Sequence, residues 1–205
     1  MKKLLIALSS LLFLLSTLNC APAPPMERAK IVIVVAPEYC CDVELFRFEG
    51  MCEKNNIGVV VAGRTTAESI GEVGHLIVKP EIAMSQVDID DYDGIVIGSG
   101  IGCETHFWRD ESLRELVKSA FTKNKLIAAT CNSPVVLARA GILIGKEATA
   151  MSRPEIIKEL EEGGAIYKDE AVVVTGNIIT GRDLRGMEKF AQTVGETLLK
   201  IRRIK

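Results

Sequence analysis

Histidine and aromatic residues are scarce in this chain, and its cysteines lack the spacing of a metal site. The 205 residues contain two histidines, His75 and His106, and only 5% of them are Phe, Trp or Tyr. Six cysteines occur, but no two of them form a Cys-x-x-Cys pair. Zinc sites draw their ligands mostly from Cys and His at such short spacings. We therefore expect no metal ion, and we expect no organic cofactor either.

The chain also lacks an excess of either charge. It contains 25 Lys and Arg residues against 27 Asp and Glu residues, so its formal net charge is −2. Basic residues cluster only in the last six positions, 200–205, where cations suit the negative end of a helix. Proteins that bind nucleic acid usually present a basic surface. The charge balance therefore argues against nucleic acid as a partner.

A basic and apolar N-terminus precedes the predicted domain. Lys2 and Lys3 are followed by an apolar or hydroxyl-bearing run over residues 4–18, which fits a secretory signal and is shorter than a membrane span of about 20 residues. We predict a signal peptide or lipoprotein signal over residues 1–20 and a stiff Ala/Pro linker over 21–28. The protein is then exported, either associated with the membrane or extracytoplasmic.

This N-terminal interpretation has alternatives. Cys20 is a candidate lipidation site, which would make the membrane a partner through a lipid anchor. An uncleaved signal would anchor the chain directly. If Met26 is the true start, the protein is cytoplasmic.

Apolar runs alternate with helical patterns over residues 29–205, which we predict to be one domain. With 48% hydrophobic residues, the chain can form a core made mostly of Val, Ile, Leu and Ala. Because the predicted strands are apolar on both faces, they fit a mainly parallel central sheet covered by helices in a three-layer α/β sandwich. The predicted strands lie near 31–35, 59–62, 76–78, 94–98, 126–130, 171–174 and 178–180, and the predicted helices near 44–55, 110–123, 133–140, 155–162 and 184–200.

Acids, thiols and glycines follow three of these strands, in the loops 37–44, 98–106 and 131–134. The carboxyl ends of parallel strands meet at one edge of a sheet, where ligands bind. We therefore expect these three loops to converge. Next to the second loop, Phe107 and Trp108 are either core anchors for the following helix or an exposed apolar lip suited to subunit contact.

Cys131 occupies the junction of a predicted strand and a predicted helix. A sharp turn there lifts the side chain out of the sheet, as in a nucleophile elbow. We expect the N-terminal N–H groups of the helix to favour the thiolate and lower its pKa. Glycines around Gly100 would let backbone N–H groups approach an oxyanion, and Glu44 would share a proton with the sulfur or the substrate. The alternative is a buried structural cysteine.

Four parts of the chain resemble the ThiJ/PfpI superfamily, in the order that the superfamily has them and over residues 31–199. The first-loop acid lies at 42–45 and the glycine turn at 97–100. The cysteine turn lies at 127–134, followed by a matching segment at 140–146, and the last hairpin lies at 175–182. The resemblance implies a flavodoxin-like fold similar to the class I glutamine amidotransferase domain. The superfamily includes peptidases, glyoxalases or deglycases acting on reactive carbonyls, redox-sensing chaperone-like proteins and inactive relatives.

The resemblance also implies roles for individual residues. It makes Cys131 the nucleophile, Glu44 its acid partner, and the backbone N–H groups of Gly100 and Asn132 the oxyanion donors. Glu104 lies where peptidase-like members carry an acid that completes a neighbouring subunit's site. The resemblance further implies a homo-oligomer, a dimer or larger.

The chain departs from the superfamily at the catalytic base. Peptidase-like members have a histidine directly after the cysteine, where this chain has Asn132, and residues 149–152 lack the histidine or tyrosine that other members supply. Ser99 replaces the first glycine of the turn. An asparagine amide does not titrate, so it cannot act as a base. His106 is either an auxiliary base or a surface histidine.

Three functions stay open at this stage. In the first, Cys131 adds to a small-molecule carbonyl while Glu44 carries the proton through a hemithioacetal to a hydroxy acid. In the second, the protein is a non-catalytic redox sensor or stress-related binding protein, with Cys40, Cys41 or Cys103 resolving an oxidised Cys131. Alternatively, Cys40 and Cys41 only pack under their loop. The third is a cysteine peptidase acting on peptides, which the missing histidine disfavours because the leaving amine needs a proton.

Overall fold

The structure, a computed structural model, describes residues 28–204. The predicted signal over residues 1–20, the lipidation site Cys20 and all but the last residue of the linker lie outside this range. None of the helices within residues 28–204 combines the length and apolar character that crossing a membrane requires.

The described residues form eleven strands and six α-helices. The strands are β1 (Ala29–Val34), β2 (Ile57–Gly63), β3 (Ser69–Ile70), β4 (Ile77–Val78), β5 (Ile82–Ala83), β6 (Gly94–Ile97), β7 (Leu126–Thr130), β8 (Glu147–Ala148), β9 (Ile166–Tyr167), β10 (Val172–Thr175) and β11 (Ile178–Gly181). The helices are α1 (Asp42–Lys54), α2 (Ile101–His106), α3 (Glu111–Thr122), α4 (Pro134–Arg139), α5 (Pro154–Glu162) and α6 (Met187–Ile204).

A seven-stranded sheet forms the centre of the described domain. Its strand order is β10-β11-β7-β6-β1-β2-β5, and every neighbouring pair is parallel except β10 and β11, which form an antiparallel hairpin. The three central strands β7, β6 and β1 all end at the same edge. This arrangement confirms the predicted fold class.

The core consists of two apolar layers, one on each face of the sheet. Along β1, Val32 and Val34 face the layer that packs against α3, α4 and α5. Ile31 and Ile33 alternate with them and face α1 and α6. Successive residues of a strand point to opposite faces, so a strand buried on both sides must be apolar throughout. The β-branched run of β1 meets that demand.

Two parts of the fold differ from the sequence prediction. The segment predicted as the third strand of the main sheet forms β4, which pairs antiparallel with β3 in a separate hairpin. The edge of the main sheet is instead β5, which is only two residues long and therefore gives no periodic signal. Residues predicted as a loop after β6 form the short helix α2.

A buried carboxylate holds the β3–β4 hairpin against the start of α1. The Asp42 carboxylate accepts backbone N–H groups from Val73, Gly74 and Leu76 at 2.9–3.1 Å. Burial alone would raise the pKa of Asp42, but these N–H donors lower it below its usual value. The hairpin is thereby fixed over the loop that leads into α1.

We expect Asp42→Asn to loosen this hairpin. The substitution keeps the shape but turns one acceptor oxygen into an N–H donor that faces other N–H donors, which should lower the free energy of unfolding by about 2 kcal/mol. Amide hydrogen exchange across residues 73–76 should accelerate. Because the pKa of Asp42 is lowered in the folded state, its contribution should be complete above about pH 4 and fade as the pH falls below that.

The control is Asp88→Asn, which changes an exposed carboxylate that caps a turn through the N–H of Asp90. It should leave exchange in the hairpin unchanged. Equal exchange rates in the wild type and Asp42→Asn would contradict the role given to Asp42.

Candidate active site

The backbone at Cys131 has the turned conformation of an elbow. Its φ is +60°, which is uncommon for a residue other than glycine. The Cys131 N–H donates to the carbonyl of Gly181 at 3.0 Å, and its carbonyl accepts the Met151 N–H at 2.8 Å. Contacts on both sides therefore hold the strained residue in place.

Burial raises the pKa of the Cys131 thiol, and the nearby carboxylate of Glu44 and the thiol of Cys41 raise it further. The backbone N–H of Asn132 opposes them by hydrogen bonding to the sulfur. The expectation of a lowered pKa is therefore wrong for this site.

The start of α4 does not offset the effect of burial, because this helix is only six residues long. The Ser133 N–H donates to the carbonyl of Thr130, and Pro134 has no N–H to offer. The helix N-terminus consequently does little for the sulfur.

Glu44 is a buried carboxylic acid beside Cys131, with only 5% of its surface exposed. Burial raises its pKa, although hydrogen bonds from Ser99 and Thr130 oppose the rise. Both hydroxyls donate to the same oxygen, Oε2, and the bond from Thr130 measures 2.7 Å. Because two neighbouring anions are disfavoured in a buried site, ionisation of either Glu44 or Cys131 opposes ionisation of the other.

The turn after β6 brings Gly100 against the first loop. Gly100 has φ +107° and ψ 165°, a conformation almost restricted to glycine. A Cβ at this position would lie 2.4 Å from the carbonyl oxygen of Tyr39 and 2.5 Å from the backbone nitrogen of Cys41. The close approach of the two loops therefore requires glycine.

The Asn132 side chain links the cysteine turn to this glycine turn. Its Nδ2 donates to the carbonyl of Gly100 at 2.8 Å and to Oε1 of Glu104 at 3.0 Å. Both partners are acceptors, so the amide cannot be flipped. Glu104 also pairs with Arg153 at 2.8 Å. Glu104 thus has partners within its own subunit, and Asn132 is a structural bridge whose backbone N–H faces the sulfur.

In the structure, His106 has a carboxylate of the first loop as its partner. Its Nε2 hydrogen-bonds to Oε1 of Glu38 at 3.0 Å. The next two residues are anchors and not an exposed lip, because Phe107 is fully buried and the half-buried Trp108 donates its indole N–H to the carbonyl of Asn132 at 3.0 Å. These contacts resolve the alternatives that the sequence left open for residues 107 and 108.

All five cysteines of the described domain are free thiols. Cys103 is completely buried next to Cys131, and burial raises its pKa. Cys40 lies under the β3–β4 hairpin, 4.0 Å from the hydroxyl of Ser69. Cys41 is partly exposed, and burial together with the Glu44 charge raises its pKa to about 12.

Sequence reasoning missed three contributors to the site. Glu72, on the β3–β4 hairpin, accepts the Ile101 N–H at 2.8 Å and adds negative charge that raises the pKa of Cys131. The sequence shows Ser99 only as the replacement of a glycine, and Thr130 only as the end of a predicted strand. The one signal in the sequence is a hydroxyl residue, Thr130, at the end of an apolar strand directly before Cys131. Within residues 28–204, no three His, Cys, Asp or Glu side chains cluster as metal ligands.

Comparison with known proteins identifies the family. Residues 29–197 match the DJ-1/PfpI family. The chain belongs to this family. The match includes all the loops that form the site, from the first-loop acid to the turn after β11.

Individual relatives agree with this assignment. An uncharacterized protein of Methanocaldococcus jannaschii is 44% identical over 175 residues, which is 85% of this chain and 83% of that protein. The crystal structure of a ThiJ/PfpI domain protein from Brachyspira murdochii superimposes with a TM-score of 0.80 at 26% identity, covering 85% of this chain and 99% of that one.

Two further family relatives bear names of activities. A Pyrococcus abyssi protein named a deglycase is 28% identical over 74% of this chain and 89% of its own length. The Caenorhabditis elegans glutathione-independent glyoxalase DJR-1.2 is 28% identical over 82% of this chain and 87% of its own length.

We expect Gly100→Ala to disrupt the site more than a glycine replacement in open space does. Gly145→Ala is the matched control, because Gly145 also has a positive φ (+68°) but a Cβ there would meet nothing within 4 Å. The control should cost about 1 kcal/mol of stability from backbone strain alone. Gly100→Ala should cost clearly more and accelerate Cys131 alkylation as the loops separate. Equal losses in denaturant unfolding would refute the close-approach argument.

Proposed function

We propose that this protein is a cysteine-dependent enzyme acting on small reactive carbonyl compounds, with glyoxalase- or deglycase-type chemistry. The observation that carries the proposal is the buried pair of Cys131 and Glu44. Both groups have raised pKa values because of burial, and the carboxylate raises the pKa of the thiol. A thiol and a carboxyl that hold one proton in common supply both a nucleophile and an acid.

For a 2-oxoaldehyde, the first step moves the thiol proton to Glu44. The Cys131 sulfur then forms a bond to the aldehyde carbon, the C=O π pair moves to oxygen, and that oxygen takes the proton back from Glu44. The product is a hemithioacetal, and the carboxylate is regenerated. Charge is unchanged throughout, which suits a buried site.

Glu44 also carries the rearrangement. Its carboxylate removes the hydrogen of the former aldehyde carbon as a proton, a C=C bond forms to the neighbouring carbon, and the oxygen of that neighbouring carbonyl takes the proton from Glu44 to give an enediol. Glu44 then removes the proton of the hydroxyl on the sulfur-bearing carbon and delivers it to the neighbouring carbon, while the C=O bond re-forms at the sulfur-bearing carbon to give a thioester. Water then cleaves the S–C bond, releasing a 2-hydroxy acid and the free thiol. The N–H groups of Gly100 and Asn132 are the candidates to stabilise the oxyanions.

The printed names of two relatives support this choice of substrate. One is a glyoxalase described as independent of glutathione, and the other is a deglycase. A thiol supplied by the protein itself is the chemical substitute for glutathione. Cys131 fills that place in this chain.

Peptide hydrolysis is less well supported. It requires protonation of a leaving amine, which a neighbouring histidine usually provides. In this chain Asn132 follows the cysteine and His106 pairs with Glu38. Addition to an aldehyde has no amine to expel, so the Glu44 proton suffices.

A second candidate function, reversible oxidation, is favoured by one observation. Cys41 is partly exposed and close enough to raise the pKa of Cys131. Peroxide would convert the Cys131 thiolate to a sulfenic acid and be reduced to water or an alcohol. The Cys41 thiol would then displace water and form a disulfide.

The proposal also includes the location and assembly expected from the sequence. A signal over residues 1–20 or a lipid on Cys20 would export the protein, and a homo-oligomer would form outside the cytoplasm. Mass spectrometry of the purified membrane fraction tests the location. A mature chain beginning with lipidated Cys20 would support it, and an intact Met1 or a start at Met26 would contradict the lipid anchor.

We expect Cys131→Ser to abolish turnover of methylglyoxal, because it removes the nucleophile. Glu44→Gln should lower kcat/KM by about 100-fold or more, because it removes the group that carries the proton. Glu49→Gln is the matched control, since burial also raises the pKa of this carboxyl on the same helix. It should retain activity. Turnover that survives Glu44→Gln would contradict the mechanism.

Under mild peroxide, we expect the redox candidate to give a Cys41–Cys131 disulfide in peptide mapping. Cys41→Ser combined with Cys103→Ser, which also removes the buried thiol next to Cys131, should leave Cys131 to proceed to sulfinic acid. Cys52→Ser, which removes a buried thiol near the end of α1, should change nothing. A Cys131 that pairs with no other cysteine would exclude this cycle.

A further inference from the structure

Two hydroxyl groups converge on a single oxygen of Glu44. The Thr130 Oγ1 donates to Oε2 at 2.7 Å, and the Ser99 Oγ donates to the same atom through a short hydrogen bond. The three side chains are almost fully buried, with 3–5% of each residue exposed. Water therefore does not compete for these bonds.

The two donors come from residues that directly precede the reactive backbone. Thr130 ends β7 and is followed by Cys131, and Ser99 precedes Gly100 in the turn after β6. The carboxyl group on α1 is thus tied to both halves of the site. Neither hydroxyl donates to Oε1.

We propose that Ser99 and Thr130 are positioning residues that reserve Oε1 of Glu44 as the oxygen that exchanges a proton with Cys131 and the substrate. A proton on Oε2 would displace at least one hydroxyl donor, and a buried donor without a partner is costly. A proton on Oε1 leaves both hydrogen bonds intact. The proton that leaves the thiol therefore arrives at Oε1 and departs from it to the substrate oxygen.

The hydroxyls also set the strength of the acid. Hydrogen bonds to a carboxylate favour its charged form, so they hold down a pKa that burial raises. Without them the carboxyl would keep its proton to higher pH and would return it less readily to the substrate. The inference rests on the proposed function, because it assigns the proton transfer between Glu44 and Cys131 to one oxygen.

The test is the pH dependence of Cys131 alkylation by iodoacetamide in the folded protein, followed by mass spectrometry of the Cys131 peptide. In the wild type we expect the plot of alkylation rate against pH to show a lower inflection, which reports the first proton lost by the pair of Glu44 and Cys131. Ser99→Ala and Thr130→Val should each shift it upward by about one pH unit, because each removes one hydrogen bond to the charged carboxylate. Thr130→Ser keeps a hydroxyl and should restore the wild-type value.

Thr149→Val is the structural control. It removes a fully buried threonine hydroxyl that donates to the carbonyl of Glu170 at 2.7 Å and does not contact Glu44. Its inflection should equal that of the wild type. Thr130→Val preserves the shape of the side chain, so it decides the question even if Ser99→Ala fails to fold.

Glu44→Gln separates failure of this inference from failure of the proposed function. If the wild-type inflection persists in Glu44→Gln, the thiol does not share its proton with Glu44, and the proposed function and this inference both fall. If Glu44→Gln removes the inflection while Thr130→Val leaves it in place, the pair stands and the positioning role is wrong. An upward shift in Thr130→Val that Thr130→Ser reverses supports the inference.

Discussion

The site depends on the burial of one carboxyl group. Glu44 lies in the first turn of α1 and reaches the hydroxyls of Ser99 and Thr130, which belong to two other segments. A buried carboxylate must be hydrogen-bonded or neutralised, because losing its hydration is costly. Two donors meet only part of that need, so the group keeps a raised pKa. The same contacts join three segments of the chain and hold down a pKa that burial raises.

Asp42 and Glu44 show how the number of donors decides the outcome. They lie two residues apart at the start of the same helix, and both are buried. Asp42 accepts backbone N–H groups from three residues, and its pKa is lowered. Glu44 accepts two hydroxyls on one oxygen, and its pKa is raised. The first carboxylate is therefore stabilised in its charged form, and the second is the one for which we propose proton transfer.

The sequence predicted the sheet and the two central residues because both have strong local signals. Doubly buried strands are continuous apolar runs, and the carboxyl ends of parallel strands bring Cys131 and Glu44 to one edge. It missed the hairpin that carries Glu72, because strands of two residues have no periodicity. It also gave the wrong direction for the Cys131 pKa. The pKa depends on how deeply the thiol is buried and on which N–H groups of a short turn point at it. Both depend on the tertiary structure and cannot be inferred from the spacing of residues in the sequence.

The missing imidazole explains why burial is the main determinant of the chemistry here. A histidine would hold a proton near neutral pH even when exposed, whereas an exposed carboxyl and thiol would titrate far apart, near about 4 and about 8.5. Burial raises both pKa values, and the charge of either group opposes the ionisation of the other. Under the proposed function, the proton that leaves the sulfur passes to the carboxyl and then to the substrate oxygen, so the net charge of the site stays constant. An uncharged carbonyl compound can react in it without adding charge to the core, which is the physical reason to favour that substrate over a peptide.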